Sequence, residues 1–253
     1  MKKIIIGNWK MNKNLYETKD FLLSFLKKKI NNNIKICLAI PFPFLEKSVN
    51  LCKDSLIEII AQNMHHCDKG NFTGEVSVEM IKSIGIKTVI IGHSERRNFF
   101  YEDNNIIYKK IKKAIKNNIK IILCIGENLK ERNKNKYLNK IYNQLKYINI
   151  IDKSFIKNNN FIIAYEPIWS IGTGKIANIE QIKEIFVYIK EIISSKFNDE
   201  KIIKNIPILY GGSINSKSSI LLNYSLKENT DGCLIGKSSL EIEEFLKIIK
   251  LYS

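Results

Sequence analysis

Short apolar runs rich in isoleucine recur along the 253-residue chain and alternate with helical patterns, and this alternation strongly limits the possible folds. Continuous apolar runs bounded by turn residues are typical of strands in a parallel sheet, because such a sheet is covered on both faces. We predict eight strands: Ile4–Asn8, Ile34–Ile40, Leu56–Gln62, Thr88–Gly92, Lys120–Ile125, Phe161–Glu166, Ile206–Tyr210 and Gly232–Gly236.

Helical patterns separate these runs. The clearest predicted helix is Ile179–Ile193, and Ile107–Ile115 repeats its three- and four-residue apolar spacing before the fifth strand. Strand–helix–strand units join right-handed, and eight of them close an α/β barrel of the (β/α)8, or TIM-barrel, type. An open doubly wound sheet fits the same periodicity. No linker-like composition interrupts the chain, so we expect a single domain over residues 1–253.

Composition and charge argue against several classes of protein, among them nucleic-acid-binding, disulfide-bonded, exported and membrane-spanning proteins. The formal charge is +16, but the lysines are spread along the chain without a recognition motif, so we expect no nucleic-acid partner. The five cysteines are scattered and lack a Cys-x-x-Cys pair, which favours reduced thiols. The apolar run Ile4–Ile6 is too short for an export signal, and no stretch is long enough to span a bilayer. We therefore expect a cytoplasmic protein without a membrane partner.

Unusual polar residues follow the predicted strands. Asn8 and Lys10 follow the first strand, His93 and Glu95 the fourth, and Glu166 ends the sixth. In a barrel, the carboxyl ends of the strands converge on one mouth, where active sites of this architecture lie. The sequence therefore predicts that these side chains meet.

Four separated segments resemble the triosephosphate isomerase family: Gly7–Asn12, Ile91–Arg97, Ala164–Lys175 and Tyr210–Ser213. Shorter segments support the resemblance: Ala61–Asn63, Phe72–Glu75, Cys124–Glu127 and Asp231–Gly232. Taken together and in this order, the segments span nearly the whole chain. The resemblance implies interconversion of dihydroxyacetone phosphate and D-glyceraldehyde 3-phosphate, in glycolysis, gluconeogenesis and the pentose phosphate pathway. It implies no metal or cofactor, because the substrate carbonyl already acidifies the C–H bond.

The resemblance assigns the catalytic roles. Glu166 is the base; its position between a strand and an apolar loop predicts burial, which raises the pKa of a carboxyl group. His93 polarises the substrate carbonyl as a neutral imidazole, and triosephosphate isomerase is itself the reference case of this pairing. Lys10 stabilises developing negative charge, and Asn8 supplies a neutral donor. Glu95 holds Lys10 or relays protons; a purely structural ion pair is the alternative.

The phosphate and lid residues follow from the same resemblance. Asn8 and Lys10 also contact the substrate. Its phosphate is bound by two glycine-bearing turns, Gly211-Gly212-Ser213 and Gly236-Lys237, and by the amide of Gly172 as a third donor. A lid excludes water from the intermediate, and its residues are Pro167, Ile168, Trp169, Ser170, Ile171, Gly172, Thr173, Gly174 and Lys175. The lid is latched by Tyr210, Ser213 and Glu127.

Thr73 resembles the tip of a loop that enters a partner subunit, which implies a homodimer. Three positions depart from the family pattern: Ser170 and Asn71 each replace a usual alanine, and Lys237 replaces a usual glycine. A lysine fits without strain if its segment begins a helical turn, and we predict that it does.

Other interpretations remain at this point. The first alternative is a barrel isomerase that acts on larger phosphorylated sugars and shares only the phosphate site. The second is a basic nucleic-acid or surface-binding module that uses the charge of +16, and the third is an inactive barrel that serves as a scaffold.

A metal site at His65 and His66 is not expected, because adjacent residues rarely face one ion and no third ligand recurs nearby.

Overall fold

The computed structural model describes residues 2–171, 177–216 and 230–252. Its strands form a closed parallel barrel in chain order. They are β1 (Lys3–Asn8), β2 (Ile34–Ile40), β3 (Ile57–Ala61), β4 (Thr88–Ile91), β5 (Lys120–Ile125), β6 (Phe161–Tyr165), β7 (Ile208–Tyr210) and β8 (Gly232–Ile235). Because β1 pairs with β8, with Ile4 opposite Gly232, the barrel is confirmed and the open sheet is excluded.

Helices surround the barrel. The described α-helices are α1 (Leu15–Leu26), α2 (Leu45–Cys52), α3 (Val78–Ser83), α4 (Ser94–Phe99), α5 (Asn104–Lys116), α6 (Leu129–Asn133), α7 (Tyr137–Leu145), α8 (Lys153–Lys157), α9 (Ile179–Phe197), α10 (Glu200–Lys204) and α11 (Ile242–Leu251). Short 3-10 turns lie at Phe42–Phe44, Ile148–Ile150, Ile168–Ser170 and Lys237–Ser239.

The observed ends differ from the predicted ones by small amounts. Strand β7 begins two residues late because Pro207, which precedes it, has no N–H for the ladder. Helix α9 continues one turn beyond Ile193 because Phe197 is also buried against the barrel. It ends at Asn198, whose left-handed φ of 44° breaks the helical backbone.

Two apolar layers explain why the strands are largely apolar on both faces. In β1, Ile4 and Ile6 point into the barrel, whereas Ile5 packs in the outer layer between strands and helices. The interior is filled by Ile4, Ile6, Cys37, Ala39, Ile60, Ile90, Ile122, Cys124, Ile162, Ala164, Leu209 and Leu234. The barrel is therefore a packed core, and polar chemistry is confined to its ends.

Most cysteines belong to this core. Cys37, Cys52, Cys124 and Cys233 are buried, whereas Cys67 is partly exposed. Burial raises the pKa of Cys52 to about 11 and raises the pKa of the other three buried thiols as well. These four thiols are therefore protonated and unreactive near neutral pH. Within the described ranges, no helix combines the length and hydrophobicity that a membrane span requires.

Candidate active site

His93 and Glu166 meet at the carboxyl-terminal mouth of the barrel. His93 follows β4, and Glu166 directly follows β6. The Nε2 atom of His93 lies 3.2 Å from Oε1 of Glu166. Both side chains are buried, with 6% and 3% of their surface exposed. Two residues far apart in the sequence are therefore in direct contact.

Backbone groups orient this pair. The Glu95 N–H, at the start of α4, donates to His93 Nδ1 at 3.3 Å. In a neutral imidazole the ring proton then resides on Nε2, the atom that faces Glu166. The Ser94 N–H donates to Glu166 Oε2 at 3.4 Å, and the Glu166 N–H donates to the Ile125 carbonyl at 2.7 Å.

Burial and contact shift the two pKa values in opposite directions. Burial raises the pKa of Glu166, but His93 and Lys10 favour the carboxylate, and the net pKa is lowered. Burial lowers the pKa of His93, but Glu166 and Glu95 raise it, and the net pKa is above its usual value. The expectation of a raised pKa at Glu166 is therefore wrong for this arrangement, because each group stabilises the charge on the other.

Two glycines leave room for Glu166. A Cβ atom on Gly211 would lie 2.8 Å from Glu166 Cγ, and a Cβ atom on Gly126 would lie 1.8 Å from the Glu166 carbonyl oxygen. A side chain at either position would displace the carboxylate. Sequence reasoning placed Gly211 in a phosphate loop and missed its contact with Glu166.

Lys10 is held in an uncommon backbone conformation, with φ of 53°. Its N–H donates to Asn8 Oδ1 at 3.1 Å, and its carbonyl accepts from Gln62 Nε2 at 2.9 Å. Its ammonium group forms an ion pair with Glu95 Oε1 at 2.7 Å. These contacts hold the positive charge at the mouth beside His93, and they include the predicted partner Glu95.

One cavity of about 330 Å³ brings most of the predicted residues together. Of these residues, Asn8, Lys10, His93, Glu166, Ile171, Gly211, Gly212, Ser213, Gly236 and Lys237 line it. Glu95 lines the adjoining cleft, which shares Asn8, Lys10 and His93 with the cavity. The lining thus combines a carboxylate, an imidazole, two ammonium groups and small turn residues.

The phosphate-loop prediction missed four lining residues: Ile214, Asn215, Leu234 and Ser238. Ser238 Oγ donates to the Ile214 carbonyl at 2.7 Å, so the loops that follow β7 and β8 are bonded together. Position alone could have indicated Ile214, Asn215 and Ser238, because the loops after the last two strands commonly bind phosphate in barrels; Leu234 lies within β8.

Lys237 begins the 3-10 turn Lys237–Ser239, as predicted. It is absent from the positive-φ residues of the described chain. The lysine is therefore accommodated without the strain that a left-handed backbone would impose. Gly236 lies close to Lys10, since a Cβ atom on Gly236 would be 3.5 Å from Lys10 Cε.

The described part of the predicted lid forms a 3-10 turn at Ile168–Ser170. Gly172, Thr173, Gly174 and Lys175 lie outside the described residues, as does the predicted phosphate contact of Gly172. Ser170 is buried, and its Oγ accepts a hydrogen bond from the Ser213 N–H at 3.2 Å. The Ser213 hydroxyl donates to the Ser170 carbonyl. The serine that departs from the family pattern therefore bonds to a predicted latch residue.

Glu127 joins the lid to the barrel. The indole N–H of Trp169 donates to Glu127 Oε1 at 3.0 Å, and the Tyr165 hydroxyl donates to the same oxygen at 3.1 Å. Burial raises the pKa of Glu127, against the opposing effects of Trp169 and Arg132. Tyr210, the third predicted latch residue, packs over Gly212, where a Cβ atom would lie 2.1 Å from its hydroxyl oxygen.

Arg97 is a structural residue of the site that sequence reasoning did not assign. Its guanidinium group donates to the carbonyls of Gly92 at 2.7 Å and Cys124 at 3.0 Å. Burial lowers its pKa to about 10, so it remains charged at neutral pH. It therefore ties the end of β5 to the loop that carries His93.

The loop between β3 and α3 carries two further predicted features. Thr73 is exposed near its tip, next to Phe72. At its base, the ligand atoms of His65, His66 and Cys67 all lie within 4.8 Å of one another. The expectation that no third ligand lies near the two histidines is therefore wrong, because the loop turns Cys67 back towards them.

Comparisons with known proteins agree with this geometry. The family model described as Triosephosphate isomerase matches residues 3–252. Proteins named triosephosphate isomerase from Flavobacterium psychrophilum and Finegoldia magna are each 41% identical over 249 residues, which cover 98% of this chain and 98% of the relative. One from Chlamydia trachomatis serovar L2 is 41% identical over 251 residues, with 98% of this chain and 89% of the relative covered.

The matches extend along almost the entire barrel, including every strand that contributes to the cavity. The family model and the relatives carry the same description. The chain belongs to the triosephosphate isomerase family.

Proposed function

We propose that this protein interconverts dihydroxyacetone phosphate and D-glyceraldehyde 3-phosphate by proton transfer through an enediolate. The observation that carries the proposal is the contact of 3.2 Å between Glu166 and His93 inside a cavity that Lys10 also lines. A carboxylate, an imidazole and an ammonium group in one enclosed space suit the removal of a proton from a carbon next to a carbonyl. The proposed setting is glycolysis and gluconeogenesis in the cytoplasm.

Glu166 is the proposed base. Its net pKa is lowered by His93 and Lys10 despite burial, so it is a carboxylate at neutral pH. It takes a proton from C1 of the ketose and returns it to C2 of the enediolate. The same carboxyl group serves both carbons in either direction of the reaction.

His93 is the proposed partner for the substrate oxygens. Once Glu166 holds the proton from carbon, it is neutral and no longer raises the pKa of His93. Burial, which lowers that pKa, then dominates. A neutral imidazole with its proton on Nε2 donates to the developing oxyanion and passes protons between the two oxygens.

Lys10 and the glycine loops are proposed to bind the charged ends of the substrate. The Lys10 ammonium group, fixed by Glu95 at 2.7 Å, favours the enediolate far more in an enclosed site than it would in water. The backbone around Ser213 and Gly236 accommodates the phosphate, with the Lys237 charge nearby. The lid, anchored through Trp169 to Glu127 at 3.0 Å, excludes water from the intermediate.

Two features of the assembly are part of the proposal. Residues 1–253 form one domain, and two copies associate through the loop that carries Thr73. The exposure of Thr73 and Phe72 supports this second point, because an aromatic side chain at a loop tip is suited to insertion into a partner.

The test is a coupled isomerase assay on protein purified from a host that lacks its own triosephosphate isomerase. Glu166→Asp shortens the base by one methylene, and a misplacement of about 1 Å can lower the rate on the order of 10²-fold. Glu191→Asp, on the exposed face of α9, is the matched control and retains the activity of the unmodified protein. Unchanged turnover in Glu166→Asp, or turnover only of larger phosphorylated ketoses, would overturn the proposal.

A further inference from the structure

We propose that His65, His66 and Cys67 form a binding site for a borderline-soft divalent cation of the zinc class. The three side chains lie in the loop between β3 and α3, and one ligand atom from each lies within 4.8 Å of the others. None of them lines the cavity that holds His93 and Glu166. The site is therefore separate from the proposed catalytic groups, and it shares its loop with Thr73.

The separation of the three atoms is close to that of a filled site. With Zn–N bonds of about 2.0–2.1 Å and Zn–S bonds of about 2.3 Å in a tetrahedron, ligand atoms lie roughly 3.3–3.7 Å apart. The observed limit of 4.8 Å is therefore wider by about an ångström. All three side chains are partly exposed, so small rotations can close this difference without repacking a core.

The ligand types define the class of cation. Two imidazoles and a thiolate suit zinc and its neighbours, whereas magnesium and calcium require oxygen ligands. The nearest carboxylate in sequence, Asp68, is occupied by an ion pair with Lys113 at 2.7 Å. Three protein ligands leave one tetrahedral position for water.

The histidine rings supply a second observation. The Nδ1 atom of His66 is buried and has no hydrogen-bond partner in the described part of the chain. A buried ring nitrogen without a partner is uncommon in a folded protein, and a bound ion is one of the ordinary explanations. The two histidine rings lie close together, with centroids 4.3 Å apart.

His65 is bonded to the backbone of the residue that supplies the third ligand. Its Nδ1 accepts a hydrogen bond from the Cys67 N–H at 3.1 Å, and its ring packs on Phe72 at 4.3 Å between centroids. If the ion binds at Nδ1, it replaces this single hydrogen bond. Packing against Phe72 restricts the His65 ring before any ion binds, so less conformational entropy is lost on binding.

Cys67 is the cysteine best placed to react. It is partly exposed, whereas the other four cysteines are buried. On binding, the Cys67 thiol loses its proton to solvent, a metal–sulfur bond forms, and one proton is released for each ion. No oxidation or reduction takes place, so no further reactant is required.

The test is isothermal titration of the metal-free, full-length protein with ZnCl2, compared with Cys67→Ser and His66→Asn. We expect one ion per chain, with affinity reduced in each variant by at least the roughly 10- to 100-fold that changes around metal ligands produce. Asp68→Asn is the matched control, because it removes a neighbouring charge but no ligand, and its affinity stays within a few-fold of the unmodified protein. Zinc binding that is undetectable, or unchanged in both ligand variants, would overturn the proposal.

A second measurement separates ligation from general effects on the fold. Cobalt(II) produces a thiolate-to-metal charge-transfer absorption only if sulfur is a ligand, so this absorption is expected in the unmodified protein and is lost in Cys67→Ser. Circular dichroism and isomerase turnover of both variants verify that the barrel is intact. Cobalt binding without that absorption would contradict the assignment of Cys67.

Discussion

Lys10 is a residue whose backbone conformation is explained by its position in the site. A φ of 53° in a non-glycine residue costs about 1–3 kcal/mol unless its surroundings impose it. Here Asn8, Gln62 and Glu95 bond to its N–H, carbonyl and ammonium groups respectively. The strain therefore serves to direct one particular ammonium group, among many lysines, into the mouth of the barrel.

At the same scale, the pairing of His93 with Glu166 predicts a pH dependence of stability. The pKa of Glu166 is lowered in the folded protein, so its contribution is present above the unfolded value of about 4.3 and is lost as pH falls through the folded value. The pKa of His93 is raised, so its contribution is complete below the unfolded value of about 6.5 and is lost as pH rises through the folded value.

The pair therefore stabilises the fold most between about pH 4.3 and 6.5, where both charges are present. Urea unfolding of the unmodified protein and of His93→Asn, at about pH 5.5 and about pH 8.5, measures this contribution. We expect the difference in free energy of unfolding between the two proteins to be larger at the lower pH. An equal or larger difference at the higher pH would contradict the assigned pKa directions.

At the scale of elements, each functional side chain lies just beyond a strand. Strand β4 leads into His93, β6 into Glu166, and β8 into Gly236 and Lys237. The rigid strands determine where these groups start, and the loops determine where they point. The described lid follows the same rule, since it begins directly after Glu166.

The lid contact predicts the effect of Trp169→Phe. This change removes the indole N–H that donates to the buried Glu127 carboxylate at 3.0 Å. Hydrogen bonds to charged groups contribute about 1.5–3 kcal/mol, so we expect kcat/KM to fall by roughly tenfold or more. Steady-state kinetics on the triose phosphate measures the change, and Tyr108→Phe, which alters an aromatic residue of α5 instead, is the control. Wild-type kcat/KM in Trp169→Phe would show that this bond does not support the working lid.

Sequence patterns predicted the elements well because most residues of each strand face apolar surroundings on both sides of the sheet. Ile4, Ile5 and Ile6 all face apolar surroundings, so β1 is visible as one uninterrupted run. The continuation of α9 to Phe197 was missed because the last apolar position follows two polar residues and a lysine.

The candidate site was predicted less completely. Family resemblance selected His93, Glu166 and Lys10, but the pKa directions of His93 and Glu166 depend on distances that no one-dimensional pattern contains. The space that Gly126 and Gly211 leave around Glu166 comes from strands distant in sequence. Cys67 was overlooked as a companion of His65 and His66 because the turn of the loop, rather than residue spacing, brings the three together.

At the scale of the whole molecule, the loop that carries Thr73 predicts that activity depends on association. Thr73→Arg places a long cation at the proposed interface, so we expect a monomer with sharply lower kcat. Sedimentation velocity and the coupled assay on the same sample measure both effects. Val187→Arg introduces the same side chain at an exposed position of α9 and leaves both properties unchanged. Full activity in a demonstrated Thr73→Arg monomer would contradict the proposed role of the dimer.

The account as a whole depends on the joint action of the Glu166 carboxylate and the His93 imidazole within one barrel mouth. The most direct test is the kcat of Glu166→Asp, of His93→Gln and of the double variant. Catalytic groups that act as a unit give strongly non-additive losses, so the double variant is predicted to fall within about tenfold of the slower single variant. Losses that multiply, as expected for independent groups, would contradict the account.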